Sequence, residues 1–163
     1  MKFLRLAVVV MMTAASPAAP DAQGRRGSPG VPSVPVTTDL VLAKPDAYAG
    51  QSVTLSSGVD EILSKTVFTV GQRKVVNGKD VVKAGRPLLV IAPTLDAALT
   101  ANNYLTIVGA VIKFDAAAIA SKAKDYQLDL APDVVAKYQG QTVLLATTIL
   151  SSTSTELTRK PTP

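Results

Sequence analysis

The sequence predicts a mainly β protein, in which five or six strands curl into a small Greek-key barrel with short helices at the joins. Three observations carry this. Runs rich in Val, Ile, Leu and Thr recur along the chain between turn residues. Two of the longest hold a central glycine, Gly58 and Gly109, where a strand can bend to turn a barrel corner. Between them stands Asn77-Gly78 flanked by valine pairs, the strongest short-range hairpin signal, because both turn residues need a positive φ.

From the N-terminus, residues 1–22 read as a secretory signal peptide. Lys2 and Arg5 precede the apolar run Leu6 to Ala15, and small residues follow from Ser16 to Ala22. The run is about half the ~20 residues that span a bilayer, so no permanent membrane span is expected once the leader is cleaved. Cleavage is placed between Ala15 and Gln23. Residues 23–37, rich in Pro and Gly, read as a flexible linker. The folded domain is expected over 38–150, and the Ser/Thr-rich stretch 151–163 as a disordered tail.

Within the domain, Lys44 to Tyr48 suits a short helix with Pro45 in its first turn. Ser52 to Leu63 suits a long strand bent at Gly58, and Lys65 to Val70 a second strand. The hairpin over 73–83 comes next. Leu88 to Ala92, between Pro87 and Pro93, suits a buried strand, and Tyr104 to Phe114 another long one. The helical insertion 115–140 follows, with one helix capped by Asp115 and one from Pro132 to Tyr138. Thr142 to Leu150 is the last strand. Tyr48-x-Gly50-Gln51 and Tyr138-x-Gly140-Gln141 repeat one pattern 90 residues apart. The capping logic assigns both to helix-to-strand junctions, each glycine ending a helix.

Composition closes several routes. The chain of 163 residues has no Cys, no His and formal net charge +5. A Ser-His-Asp triad, a thiol nucleophile and a Cys/His zinc site are excluded. With Lys2, Arg5 and Asp21 removed in the leader, 15 basic and 11 acidic residues remain. That excess matches the hairpin region alone, where Arg73, Lys74, Lys79, Lys83 and Arg86 surround the single acid Asp80.

The stretches Tyr48-x-Gly50-Gln51-x-Val53, Val67 to Val70, Leu88 to Ile91 and Leu105 to Gly109 resemble small exported bacterial OB-fold-like proteins of uncharacterised function. The likeness covers about residues 45–114. It implies an extracytoplasmic OB-like barrel and supplies no active-site residues. The insertion before the last strand departs from a minimal OB-fold.

The basic hairpin is the leading candidate surface. Its residues Arg73, Lys74, Lys79, Lys83 and Arg86 suit an anionic envelope component or protein. Phe68 and Tyr104 join them where their side chains face outward. The structural alternative is edge protection, since lysines on an exposed hairpin keep sheets from pairing edge to edge. Nucleic acid is disfavoured, because no aromatic lies inside the basic stretch to stack a base. Asp115, Asp125, Asp129 and Asp133 are too scattered for a calcium loop, so no metal is assigned. Adjacent Asp60 and Glu61 point to opposite strand faces and suit a solvated strand end, not a glycosidase pair. Gly71-Gln72-Arg73-Lys74 lacks P-loop spacing, and no cofactor is implied.

These readings lead to an extracytoplasmic, non-catalytic interaction module. Two alternatives stay open: a small-ligand carrier with a pocket between barrel and insertion, and a histidine-independent hydrolase.

Overall fold

A computed structural model describes residues 33–122 and 125–158. The expected leader and the linker up to residue 32 lie outside the described residues, as does the tail beyond Thr158. The protein is mainly β, with one six-stranded mixed sheet and a few short helices.

The strands are β1 (Val34–Pro35), β2 (Ser52–Ile62), β3 (Val67–Val76), β4 (Asp80–Ile91), β5 (Tyr104–Lys113) and β6 (Thr142–Ser151). The helices are α1 (Thr38–Ala43), α2 (Pro45–Tyr48), α3 (Ala116–Lys122) and α4 (Pro132–Tyr138). Strand order is β1-β2-β3-β4-β6-β5, and β2 also pairs with β5. Five strands therefore form a ring of pairings, with β1 added on the side of β2. The β4–β6 and β1–β2 pairings are parallel, and the others are antiparallel.

Bending accounts for β2's two partners. It pairs with β5 from Ser52 to Gly58 and with β3 from Gly58 to Ile62, with a register shift between Val59 and Glu61. The sequence places the bend at Gly58, within two residues of that shift. Gly109 of β5 sits at another shift, against β6, where an added Cβ would strike the Leu145 carbonyl.

Two hydrophobic clusters lie on opposite faces of the sheet. Val53, Leu55, Phe68, Val70, Leu88, Val90, Leu105, Ile107 and Leu144 belong to the first, together with Val41 of α1. Val67, Leu89, Ile91 and Val143 belong to the second, with Phe114, Ile119 and Tyr138 from around the insertion. Alternate residues of the lower β3–β4 pairing thus serve opposite clusters. That is why Leu88 to Ala92 reads as an unbroken apolar run: both faces are buried.

The helices begin and end for local reasons. Asp115 Oδ1 accepts from the Ala117 and Ala118 amides, each at 3.1 Å, and so caps α3. Pro132 opens α4, where its missing N–H costs no helix bond. The two Tyr-x-Gly-Gln copies have one geometry. Gly50 and Gly140 hold φ of +72° and +73°, in the left-handed region that favours glycine. Gln51 and Gln141 each donate an amide N–H of the side chain to the carbonyl four residues back, Ala47 at 2.8 Å and Lys137 at 2.6 Å. The Gly50 and Gly140 amides donate to Val111 and Phe114 carbonyls, at and just beyond the end of β5. Each motif turns a short helix into a strand that flanks β5, as the capping logic expected.

Several boundaries differ from the sequence reading. The hairpin is not separate: its arms continue β3 and β4, so Pro87 lies inside β4. Pro87 is tolerated because the register slips between Val70 and Gln72, leaving no ladder amide required of it. The linker expected over 23–37 ends in structure. Val34–Pro35 pairs with Val53–Thr54, and the Val36 amide donates to the Thr54 carbonyl at 2.9 Å. Helix α1 was not foreseen; Thr37 caps it by accepting from the Leu40 amide. The tail expected to be disordered has structure over residues 151–158, where Thr158 is buried and bridges Leu95. The Leu157 amide donates to the Ile149 carbonyl there, extending a turn after β6. Residues 125–130 hold no helix, so Asp125 and Asp129 share no helix face.

Candidate functional site

Above Gly71, β3 loses β2 as a neighbour, and β4 meets β6 only from Leu89 to Ile91. Residues 72–76 and 80–84 therefore form a two-stranded arm with no third strand on either edge among the described residues. The arm reaches roughly 16 Å beyond Gly71 at a strand rise of about 3.3 Å per residue. Asn77 (φ 53°) and Gly78 (φ 70°) close it as the sequence requires.

Cross-strand partners share a face. Arg73 with Lys83 and Val75 with Val81 occupy one face of the arm; Lys74 with Val82 and Val76 with Asp80 occupy the other. Val75, Val81 and Val82 are 61%, 63% and 42% exposed. They account for three of the seven large exposed apolar side chains of the described residues. The tip itself is polar, with Asn77, Lys79 and Asp80 all exposed.

The five basic residues do not act alike. Arg73 Nη1 pairs with Asp60 Oδ1 at 2.5 Å, and Nη2 donates to the Val59 carbonyl at 2.9 Å. Lys83 Nζ donates to the Asp60 carbonyl at 3.1 Å and lies 3.6 Å from Oδ1. Arg86 reaches the Leu42 carbonyl of α1 at 3.5 Å. Lys74 and Lys79 are exposed and enter no ion pair among the described residues. Arg73 is thus an anchor of the arm, and Lys83 leans on the same acid; the free cations are Lys74 and Lys79.

The expectation that Asp60 lies solvated at a strand end is overturned. Its side chain is only 11% exposed, at the register shift of β2. Gly58 and Gly71 are cross-strand partners and make the room. A methyl on Gly58 would meet the Arg73 guanidinium, and one on Gly71 the Asp60 carboxylate. The signal in the sequence is Gly58-x-Asp60 and Gly71-x-Arg73, opposite charges each two residues past a glycine in successive strands. Glu61 is exposed and joins no ion pair among the described residues.

Phe68 is fully buried in the first cluster and is corrected from candidate contact to core. Its even position in β3 puts it inside with Val70. Tyr104 does face outward, 49% exposed, with its hydroxyl donating to the Ser56 carbonyl at 3.4 Å. It is the β5 partner of Gly58, so its ring lies on the same face of β2 as the Arg73 guanidinium.

The expected pocket between sheet and insertion is filled by the second cluster. Tyr126 fastens the insertion there by donating to the Ala146 carbonyl at 2.7 Å. Burial, then the neighbouring Asp125 charge, raises its phenol above the usual value of 10.0. A cleft of about 500 Å³ lies instead at the rim, between the β2–β3 turn and residues 94–99, and takes only Gln127 from the insertion. Thr66 Oγ1 donates to the Gln127 carbonyl at 2.7 Å and ties the β2–β3 turn to the insertion. Ile62, Leu95 and Leu99 line it with Lys65 and Asp96. Among the described residues no three acidic side chains gather as a metal site, and no helix is long and apolar enough to cross a membrane.

Searches of protein-family models and of curated proteins find no match to this chain.

Proposed function

We propose that this chain is an exported, non-catalytic interaction module on an OB-like Greek-key barrel, and that it meets its partner through the β3–β4 arm. The ring of five strands closed by parallel β4 and β6 supports the barrel reading. In that reading β3 and β4 are the second and third strands, whose face serves many OB-folds in binding. The lower part of that face is covered by the insertion, which leaves the arm.

One observation carries the choice of surface. Val75, Val81 and Val82 are exposed beside Lys74 and Lys79 on a ribbon that has no third strand among the described residues. Edge protection accounts for the lysines and leaves the valines unexplained. A two-stranded ribbon is marginal in water, so burying its apolar faces against another molecule is favourable.

The test is a pull-down from the native envelope with protein purified from cells expressing the full chain. The control carries Lys74→Glu and Lys79→Glu and keeps the Arg73–Asp60 pair. A stoichiometric partner lost only in the control supports the module. An identical partner set with both baits overturns the arm as contact surface. N-terminal sequencing tests export: the mature chain should begin between Ser16 and Gly24, and a chain retained with Met1 in the cytosol overturns it.

The cleft favours a second reading, a small-ligand carrier, because its volume lies in the range of ligand sites. Ligand-dependent thermal stabilisation that is insensitive to salt would distinguish it.

A further inference from the structure

We infer that the partner presents an extended acidic segment, which adds as a new strand to the β3 edge of the arm at Gln72 to Val76. This rests on the proposed role of the arm and names what binds there and how.

Backbone comes first. Beyond Gly71 the edge that paired with β2 has no strand beside it among the described residues. Its amides and carbonyls are therefore a template for one more strand, as in strand-addition recognition. At the foot of the arm α1 lies against β4 and, less extensively, β3; there Arg86 meets the Leu42 carbonyl and the Asp39 carboxylate sits beside Gly85, so the β4 side is the more covered of the two.

Charge then selects the occupant. Lys74 is the exposed cation of β3, whose Arg73 is held by Asp60; the β4 side carries Asp80, Lys83 that leans on Asp60, and Arg86, with Asp39 beside the adjacent Gly85. An acidic strand is attracted to the β3 edge, and a cationic one is repelled. A second copy would bring its own basic arm against this one. The chain's residues 24–32 include Arg25 and Arg26 and no acid, so they suffer the same repulsion.

Shape argues against a lipid surface. The exposed valines lie along the shaft, while the tip is Asn77, Gly78, Lys79 and Asp80. Membrane entry tip-first would bury the polar end before the apolar faces. A strand laid alongside covers valine without moving the tip. Alternating side chains on the incoming strand would place apolar groups beside Val75 and acids beside Lys74.

The experiment titrates protein from cells expressing the full chain with a synthetic seven-residue peptide of alternating Glu and Val. The comparison peptides are the same sequence N-methylated at alternate residues, its Lys/Val counterpart, and a seven-residue polyglutamate. Amide hydrogen exchange is read at residues 72–76. The Glu/Val peptide should bind and slow exchange there. N-methylation, which removes donors and keeps charge, should weaken binding about tenfold or more, the scale of a lost hydrogen bond or two. The Lys/Val peptide should not bind. Equal binding by the N-methylated peptide or by polyglutamate, without exchange protection, overturns strand addition and leaves the arm as an anion contact. Binding unchanged by Lys74→Glu with Lys79→Glu overturns the arm itself. No peptide binding, with association to vesicles of phosphatidylcholine and phosphatidylglycerol, overturns the inference in favour of a membrane. Arm-dependent dimerisation in sedimentation overturns it in favour of a second copy, and the absence of any binding also overturns it.

Discussion

Below Gly71 the β3–β4 ribbon is buried on both faces; above it, the same two strands are open on both. Val67, Val70 and Val90 are fully buried, while Val75, Val81 and Val82 are largely in solvent. The residue type is the same, so strand propensity does not separate them. What separates them is cover. The first cluster lies under one face of the lower ribbon and the helical insertion over the other, and neither reaches the arm. A Val-rich hairpin that neither cluster covers is therefore the part of the described residues whose sequence the fold leaves unexplained.

The largest effect that can test this contrast is at Phe68. Phe68→Ala should lower unfolding free energy in urea by about 3–5 kcal/mol, the usual cost of deleting a buried ring. Val81→Thr in the arm should stay within about 0.5 kcal/mol. Equal costs at the two sites would mean the arm is packed in solution and the contrast is false.

Where the ribbon changes character, the Asp60–Arg73 pair joins the halves. Asp60→Ala strips the ion partner of a guanidinium whose side chain is 14% exposed. The expected loss is about 2–3 kcal/mol, below that of a fully buried pair because some water reaches the site. Gly71→Ala should cost about 1–3 kcal/mol in the native chain, since its methyl lands on the Asp60 carboxylate. With Asp60→Ala already present, the same methyl should cost much less. A double-mutant cycle in urea measures that coupling. Additive losses would show that the glycine serves the backbone and not the ion pair.

This junction also shows how much was legible in the chain. The main strands, the Asn77-Gly78 turn and both Tyr-x-Gly-Gln connectors follow from short-range chemistry, so residues alone reveal them. The partners of Arg73 and Lys83 depend on which strands become neighbours, and periodicity carries no such information. Hence all five basic residues looked alike, although Asp60 engages two of them. Phe68 was misassigned as a surface candidate for a related reason. Thr-Val-Phe-Thr-Val does not alternate, because both faces of β3 are buried there, and the residues alone do not show which way Phe68 points. The pairing of β1 and the structure of residues 151–158 were masked by Pro, Ser and Thr content; β1 is held by β2, and the later segment by the end of β6 and by Leu95 and Asp96.

Cover on the outer face of the lower ribbon depends on how the insertion is fastened, and this gives the smallest effect. Tyr126→Phe leaves the ring in place and the Ala146 carbonyl without its donor, so about 1 kcal/mol should be lost at pH 7. The pH dependence carries the sharper sign. The folded protein holds the Tyr126 proton more tightly than the unfolded chain, because burial and Asp125 disfavour the phenolate. Its contribution is therefore complete below pH 10 and fades as pH rises from there through the raised folded value. Urea midpoints measured from pH 8 to 11 should fall less steeply for Tyr126→Phe than for the native chain. Parallel slopes would mean that this phenol does not titrate against the fold and that the apolar contacts of the second cluster hold the insertion without it.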